Sequence, residues 1–283
     1  MVSYRFCRPD DLPLLVEAIN HCCLVPEGKE PSLTLAELKS RIQDRNLWAS
    51  SCMIAMEREV PIAVLVGAKR ASRSLVMKVG VVPEHRGQGH GTHLVQSLTA
   101  KLAILGPPDL ICELPVDRPR LAGFFARCGF RRTSELVDFE RSAAAPQPED
   151  QAAIQEAALG DLLPYADLWG HQPQAWDRDR EALINRKESL RSLAVVSETR
   201  VEAFVVYQRT EDACHIHRFG WGEPDPGLRY LDRLIRSLAG RVAVPLQVAR
   251  LDRGELPFEF LQVMGFRERA RAWQFAIEAG ATD

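Results

Sequence analysis

Val79-Gly80-Val81-Val82-Pro83-Glu84-His85-Arg86-Gly87-Gln88-Gly89-His90-Gly91 reads as a strand, a glycine-rich turn and the start of a helix. Val79, Val81 and Val82 form an apolar run that Pro83 stops, and Leu94, Val95 and Leu98 then fall at helical spacing. The helix opens at about Gly91. A glycine turn feeding a helix exposes several backbone N–H groups at a positive helix end, which suits a diphosphate, and Arg86 adds a fixed cation beside it. No Gly-Lys-Ser/Thr follows, so the stretch is not a Walker loop. Its glycine spacing is not that of the dinucleotide-binding fingerprint either. A glycine-rich turn that only joins strand to helix is the plainer alternative.

The combination of strand, Pro83, Arg86-x-x-Gly89-x-Gly91 and helix resembles the acyl-coenzyme A signature of the GCN5-related N-acetyltransferases. The resemblance implies an α/β fold (α+β, mixed sheet) in which a central mixed sheet is flanked by helices. It implies that Arg86, Gly87, Gln88, Gly89, His90, Gly91 and Thr92 hold the pyrophosphate of acetyl-coenzyme A. It also implies that the pantetheine arm pairs like an added strand with the backbone at Val79 and Val81, where an N–H polarises the thioester. Main-chain pairing asks for no particular side chain, so an ordinary core strand is equally compatible with that stretch.

A second copy is legible further on. Phe124-Phe125-Ala126-Arg127-Cys128-Gly129-Phe130-Arg131 is echoed by Phe260-Leu261-Gln262-Val263-Met264-Gly265-Phe266-Arg267, with Gly129 and Gly265 136 positions apart. The same interval carries Gly91 onto Gly227, Leu98 onto Leu234 and Phe139 onto Phe275. Self-similarity on this scale indicates a duplicated domain. Residues 141–150, with small side chains, Pro146, Pro148, Glu149 and Asp150, read as a linker, or else as a surface loop. The expected domains are 1–142, with the intact signature, and 150–283. In the 136-residue register Arg86 falls opposite Gly222 and Gly89 opposite Asp225, with Glu223, Pro224 and Pro226 alongside. Proline supplies no N–H and the acids oppose a phosphate, so the second copy reads as an acetyltransferase fold without its pyrophosphate loop.

In the first half the pattern predicts strands at 4–8, 52–56, 62–66, 75–82, 110–114 and 132–139. It predicts helices from Asp10 or Asp11 to Asn20, over 35–45 with Thr34 as cap, over 92–104 and over 120–127. The second half repeats the later part, with strands at 193–196, 201–207, 214–217, 246–248 and 273–277 and a helix at 228–238.

Candidates for chemistry are few. Relatives often carry tyrosine four residues before the Gly-Phe pair as the acid that protonates the departing thiolate; here that residue is Phe125, which donates nothing. The first half has one tyrosine, Tyr4, in no recognisable catalytic position. Water or another group then protonates the sulfur, or the chemistry is slow, or the domain binds without catalysing. Glu113 is the best-placed carboxylate for a base, on the strand after the signature helix; Asp117 reads as a helix cap. His85 and His90 line the loop or face solvent, and His93 is a surface position by default. His215 and His217 alternate on one strand face without a third ligand, so no metal is expected. Residues 177–181, Asp-Arg-Asp-Arg-Glu, read as a solvated helical face. Trp169 and Trp176 read as core or as cover for an acceptor cleft.

The 283 residues include 46% hydrophobic and 26% charged side chains with net charge −2, which sets no basic field for nucleic acid or an anionic membrane. With no long apolar run and no signal-peptide pattern, the chain reads as cytoplasmic. Seven scattered cysteines read as reduced thiols. The doubled architecture is similar to that of mycothiol synthases and some antibiotic-modifying enzymes. That implies an N-acetyltransferase acting on a small-molecule primary amine by direct attack. The alternative is a non-catalytic acyl-CoA-binding sensor or scaffold.

Overall fold

A computed structural model describes residues 1–23, 32–143, 154–197, 200–222 and 224–278. Two compact units are present: Met1–Thr133 with Gln274–Asp283, and Ser134–Trp273.

The first unit runs β1 (Val2–Phe6), α1 (Leu12–Cys22), α2 (Leu35–Arg45), β2 (Met53–Glu57), β3 (Val60–Lys69), β4 (Ser74–Val81), α3 (His90–Leu105), β5 (Asp109–Pro115) and α4 (Pro119–Arg127). Strands β1 to β4 pair antiparallel in sequence order, and β5 joins β4 in parallel. Strand β3 is buried at every position from Pro61 to Ala68, as expected of a central strand covered on both faces. Helix α1 buries Leu15, Ala18, Ile19 and Cys22, the i, i+3, i+4, i+7 stripe of an amphipathic helix. Helix α2 starts with a capping box: Glu37 N–H donates to Thr34 Oγ1 at 3.2 Å and Thr34 N–H to Glu37 Oε2 at 2.7 Å. The expected cap of α1 is Asp10 or Asp11; Asp11 is the N-cap residue, but its side chain makes no capping bond and instead accepts from the Arg5 guanidinium at 2.6 and 2.9 Å and from the Arg8 amide at 2.7 Å. Those bonds hold its carboxyl at about 2, below the usual carboxylate range.

The second unit contains β6 (Arg131–Arg141) from Ser134 onward, β7 (Ile154–Glu156), α5 (Leu159–Leu168), α6 (Arg180–Asn185), β8 (Arg191–Ser197), β9 (Arg200–Arg209), β10 (Cys214–Trp221), α7 (Pro224–Val242), β11 (Leu246–Leu251), α8 (Phe258–Val263) and β12 (Arg267–Glu278) as far as Trp273. Its strand order is β6-β11-β10-β9-β8-β7, with β10 and β11 parallel. Leu231, Leu234, Ile235 and Leu238 of α7 pack into a core with Phe139, Val205 and Phe219. Both units are thus α/β, a mixed sheet flanked by helices.

The units divide the chain differently from the expected 1–142 and 150–283. The strand expected to close the first half pairs antiparallel with β11, from Val137↔Leu251 to Arg141↔Leu246. The C-terminal strand returns the exchange. From Gln274 it belongs to the first unit, where Thr133 Oγ1 donates to the Gln274 carbonyl at 3.2 Å. Alternating side chains specify which face of a strand is buried but not which neighbour its edges join. Of the proposed linker, residues 141–150, the part from 144 to 150 lies outside the described residues.

No disulfide links the seven cysteines, and all but Cys23 are buried. Burial pushes the Cys7, Cys22, Cys52 and Cys214 thiols up to about 12. At pH 8, Ellman's reagent is therefore expected to label Cys23 quickly in the native chain and all seven after denaturation. Rapid labelling of several thiols in the native state would contradict this packing.

Candidate functional site

Strand β4 is paired along its whole length on one edge only. With β3 the register runs from Lys69↔Ser74 to Ala63↔Val81, interrupted by a bulge at Met77. With β5 it runs only Ser74↔Leu110 and Leu75↔Ile111. Past Leu75 the two parallel strands diverge, and a groove of about 1120 Å³ opens there. Its walls come from residues 76–81 of β4, 113–115 of β5, the loop between β4 and α3, the first turn of α3, and one side of α4 along its length. A bulge tightens local twist, which is how one strand can leave its neighbour without breaking the sheet on the other side.

The signature loop closes one end of this groove. After a short 3-10 turn at Pro83–His85, Gly87 and Gly89 adopt φ of +77° and +90°. A Cβ at either position would meet nothing within 4 Å, so glycine is required by conformation rather than by crowding. Gly89 is the N-cap of α3 and no side chain caps that helix, so its first-turn amides are left for another acceptor. At Gly91 a Cβ would lie in ordinary van der Waals contact with Phe124 at 3.4 Å and Val81 at 3.5 Å, where α3 packs on α4 and β4. Arg86 is exposed and its Nε donates to the Val81 carbonyl at 2.9 Å, while the Gln88 amide donates to the Glu84 carbonyl at 3.0 Å.

Of the residues expected at the site, Val79, Val81, Arg86, Gly87, Gly89, His90, Gly91, Thr92 and Glu113 all line the groove; Gln88 does not. Glu113 sits half-buried on β5, just beyond the last paired residue, Ile111. Phe125 also lines the groove, largely buried between Phe124 and Phe130, each ring centroid 5.1 Å away in an edge-on arrangement. Asp117 is exposed on the rim, and the residue that caps α4 is Arg118.

Several contacts at and beside the groove were not foreseen. The Tyr4 hydroxyl lies 2.6 Å from His90 Nδ1, and the His93 ring packs on Tyr4 at 4.1 Å between centroids. His90 is buried, and the pair ties β1 to the first residue of α3. Strand β1 lies 86 positions away in sequence from His90, so no local pattern could announce the pairing. Cys22 and Cys23 line the groove where α1 ends against β4; a Cβ at Gly80 would come within 2.6 Å of the Cys22 carbonyl. Lys78, Arg118, Arg120 and Arg127 add cations to the walls. The Arg118-Pro119-Arg120 run beside a strand end was the available signal for that charge.

The second unit repeats the strand geometry but not the loop. The pairing of β10 with β11 is again two residues long, Cys214↔Leu246 and His215↔Gln247, and β10 again carries a bulge, at His217. Eight residues, 82–89, separate β4 from α3, whereas β10 ends at Trp221 and α7 begins at Pro224. The second loop is therefore shortened as well as altered. Glu223, and the side chains of 224–226 that would carry the remaining expected charge, lie outside the described residues. The rings of His215 and His217 are 6.5 Å apart, and burial takes the His217 imidazole down to about 3. Among the described residues no cluster of three metal-ligand side chains occurs. Trp176 is core, and Trp169 stacks on Phe204 at 5.7 Å. No helix among the described residues is long and apolar enough to cross a membrane.

Residues 48–132 match the acetyltransferase (GNAT) domain family. In fold the chain is similar to a GCN5-related N-acetyltransferase from Sphaerobacter thermophilus, with a TM-score of 0.67 at 16% identity over 98% of this chain and 96% of the other. It is also similar to a tandem GNAT protein from the clavulanic acid biosynthesis pathway, with a TM-score of 0.60 at 12% identity over 100% of both chains. A third similar structure is a GCN5-related N-acetyltransferase from Kribbella flavida, at TM-score 0.64 and 14% identity over 98% of this chain and 70% of that one. This chain thus carries a GCN5-related N-acetyltransferase (GNAT) domain at residues 48–132 and has, over its whole length, the fold of GNAT proteins.

Proposed function

We propose that the first unit is an N-acyltransferase that moves an acetyl group from acetyl-coenzyme A to a primary amine of a small molecule. The observation that carries this reading is the joining, in one groove, of an open strand edge on β4 with an uncapped helix N-terminus at Gly89. The first accepts an extended, amide-bearing arm by strand addition, and the second accepts a diphosphate. Arg86 supplies charge at the diphosphate end. Gly87 and Gly89 allow the loop to turn its amides inward, and His90, Gly91 and Thr92 supply the amides of the first helical turn. Gln88 braces the loop through the Glu84 carbonyl.

The thioester carbonyl then lies along Val79–Val81, with Glu113 across the divergence. Glu113 takes a proton from the ammonium, directly or through water. The amine nitrogen attacks the carbonyl carbon, the carbon–sulfur bond breaks, the acylated nitrogen gives its second proton to solvent to leave a neutral amide, and the thiolate takes a proton from solvent, since Phe125 has none to give. Glu113→Gln is expected to lower kcat by about 10²- to 10⁴-fold, the usual worth of a general base, and to remove the acidic limb of the pH–rate profile. An unchanged profile would rule the residue out as base.

Phe125 also favours a second reading, a sensor or scaffold that binds acyl-coenzyme A without turnover. Release of free thiol from acetyl-coenzyme A against a panel of amines separates the two: amine-dependent release is expected for the enzyme. Tight binding without release across the panel would support the sensor.

A further inference from the structure

In the second unit, the divergence between β10 and β11 is occupied by two charged side chains. Arg178 and Glu255 are 3% and 0% exposed. The sequence reading put Arg178 on a solvated helical face. Instead it ends a 3-10 turn at Trp176–Arg178 and points inward, while Asp179 caps α6 by accepting from the Ala182 amide at 2.9 Å. Arg178 Nε and Nη2 each donate to a Glu255 carboxylate oxygen at 2.6 Å. Arg178 Nη1 donates to the Ile216 carbonyl at 3.0 Å and to the Ala249 carbonyl at 3.1 Å, one on each of the diverging strands. Glu255 Oε1 in turn accepts from the Phe219 amide of β10 at 3.4 Å.

Strand registers say what those backbone groups correspond to. The bulges at Met77 and His217 are 140 positions apart, as are Ser74 and Cys214, the residues that begin the parallel pairing in each unit. Phe219 therefore stands where Val79 stands in the first unit. On the partner strand Leu110 and Leu246 are 136 apart, so Ala249 stands at the place of Glu113. The Phe219 amide and the Ile216 and Ala249 carbonyls are the edge groups exposed by the divergence, and the ion pair satisfies all three. An apolar filling of the same volume would leave them buried and unpaired. Asp252 braces the arrangement, accepting from Gln174 N at 2.7 Å, Gly254 N at 2.9 Å and Glu255 N at 3.2 Å, so one carboxylate anchors the segments that carry both partners.

We propose that the Arg178–Glu255 pair fills, from within the chain, the slot that in the first unit receives the pantetheine arm of an acyl-coenzyme A. The second unit is a self-occupied copy: its slot is closed by side chains, its loop is shortened, and alanine replaces the candidate base. This inference rests on the acyl-coenzyme A reading of the first unit.

Acetyl-pantetheine, which has no phosphates and so needs no loop, is the probe. With ¹⁵N-phenylalanine labelling, the Phe219 amide signal is expected to stay fixed at millimolar probe in the unaltered chain and to shift in Arg178→Ala/Glu255→Ala. A shift in the unaltered chain, or a folded double variant in which Phe219 stays fixed, would overturn the proposal. Should the double variant not fold, a crystal structure of the unaltered chain with acetyl-coenzyme A decides. One molecule along β4, with the Arg178–Glu255 pair intact, is expected; a molecule between β10 and β11 would overturn the inference. A crystal with β4 empty would instead sink the reading of the first unit, which keeps the two failures apart.

Discussion

Gly89→Pro is expected to weaken acetyl-coenzyme A binding by about 100-fold or more while leaving the fold intact. At this position φ is +90°, and proline holds φ near −65°. The loop cannot keep its path, the amide of residue 89 is lost, and the neighbouring amides turn away from the diphosphate. Two charge-assisted hydrogen bonds at about 1.5 kcal/mol each already amount to that factor. The fold should survive because a Cβ at 89 meets nothing within 4 Å and the residue is exposed. Circular dichroism and calorimetric titration check the two halves of this statement. An affinity equal to that of the unaltered chain would show that the ligand is not held at this loop.

The second large effect concerns stability. Arg178→Ala leaves the Glu255 carboxylate, which has no exposure to solvent, without its cation. Removing one member of a buried pair typically costs about 3–5 kcal/mol. A loss of that size is a large fraction of an ordinary domain's stability, so the midpoint of urea unfolding should fall sharply. The pair itself owes little to net Coulombic gain, because both ions were stripped of water. Arg178→Met/Glu255→Leu should therefore recover much of the loss, short of the cost of three unpaired backbone groups. A drop below about 1 kcal/mol for the single variant would mean that water reaches the site and the charges are not buried.

What the sequence made legible is mostly local. Residues 79–91 state their conformation directly: a β-branched run, a proline stop, glycines where φ turns positive, and then helical periodicity. The α2 helix is bounded by its own capping box, and its predicted and observed limits coincide. The repeat is legible because the same core positions recur; Val95, Leu98 and Leu102 of α3 and Leu231, Leu234 and Leu238 of α7, 136 residues on, are all buried.

What escaped depends on partners far along the chain. Nothing local in strands β6 and β12 says that most of β6 joins the second unit and the end of β12 the first. The Asp177–Glu181 run is rich enough in charge to look solvated, and Arg178 is buried only because Glu255 waits 77 positions away. The Tyr4–His90 contact is of the same kind. The bulge at Met77 and the divergence of β4 from β5 also leave no side-chain signature, since both are backbone events. The fold and the conformation of the glycine loop could thus be read early, whereas the Arg178–Glu255 pairing required the tertiary structure.

The central claim is that one acyl-coenzyme A binds per chain, along β4 and against the start of α3. Isothermal titration of the unaltered chain with acetyl-coenzyme A tests it most directly. A single saturable site with a stoichiometry of one is predicted, and absence of binding would contradict it.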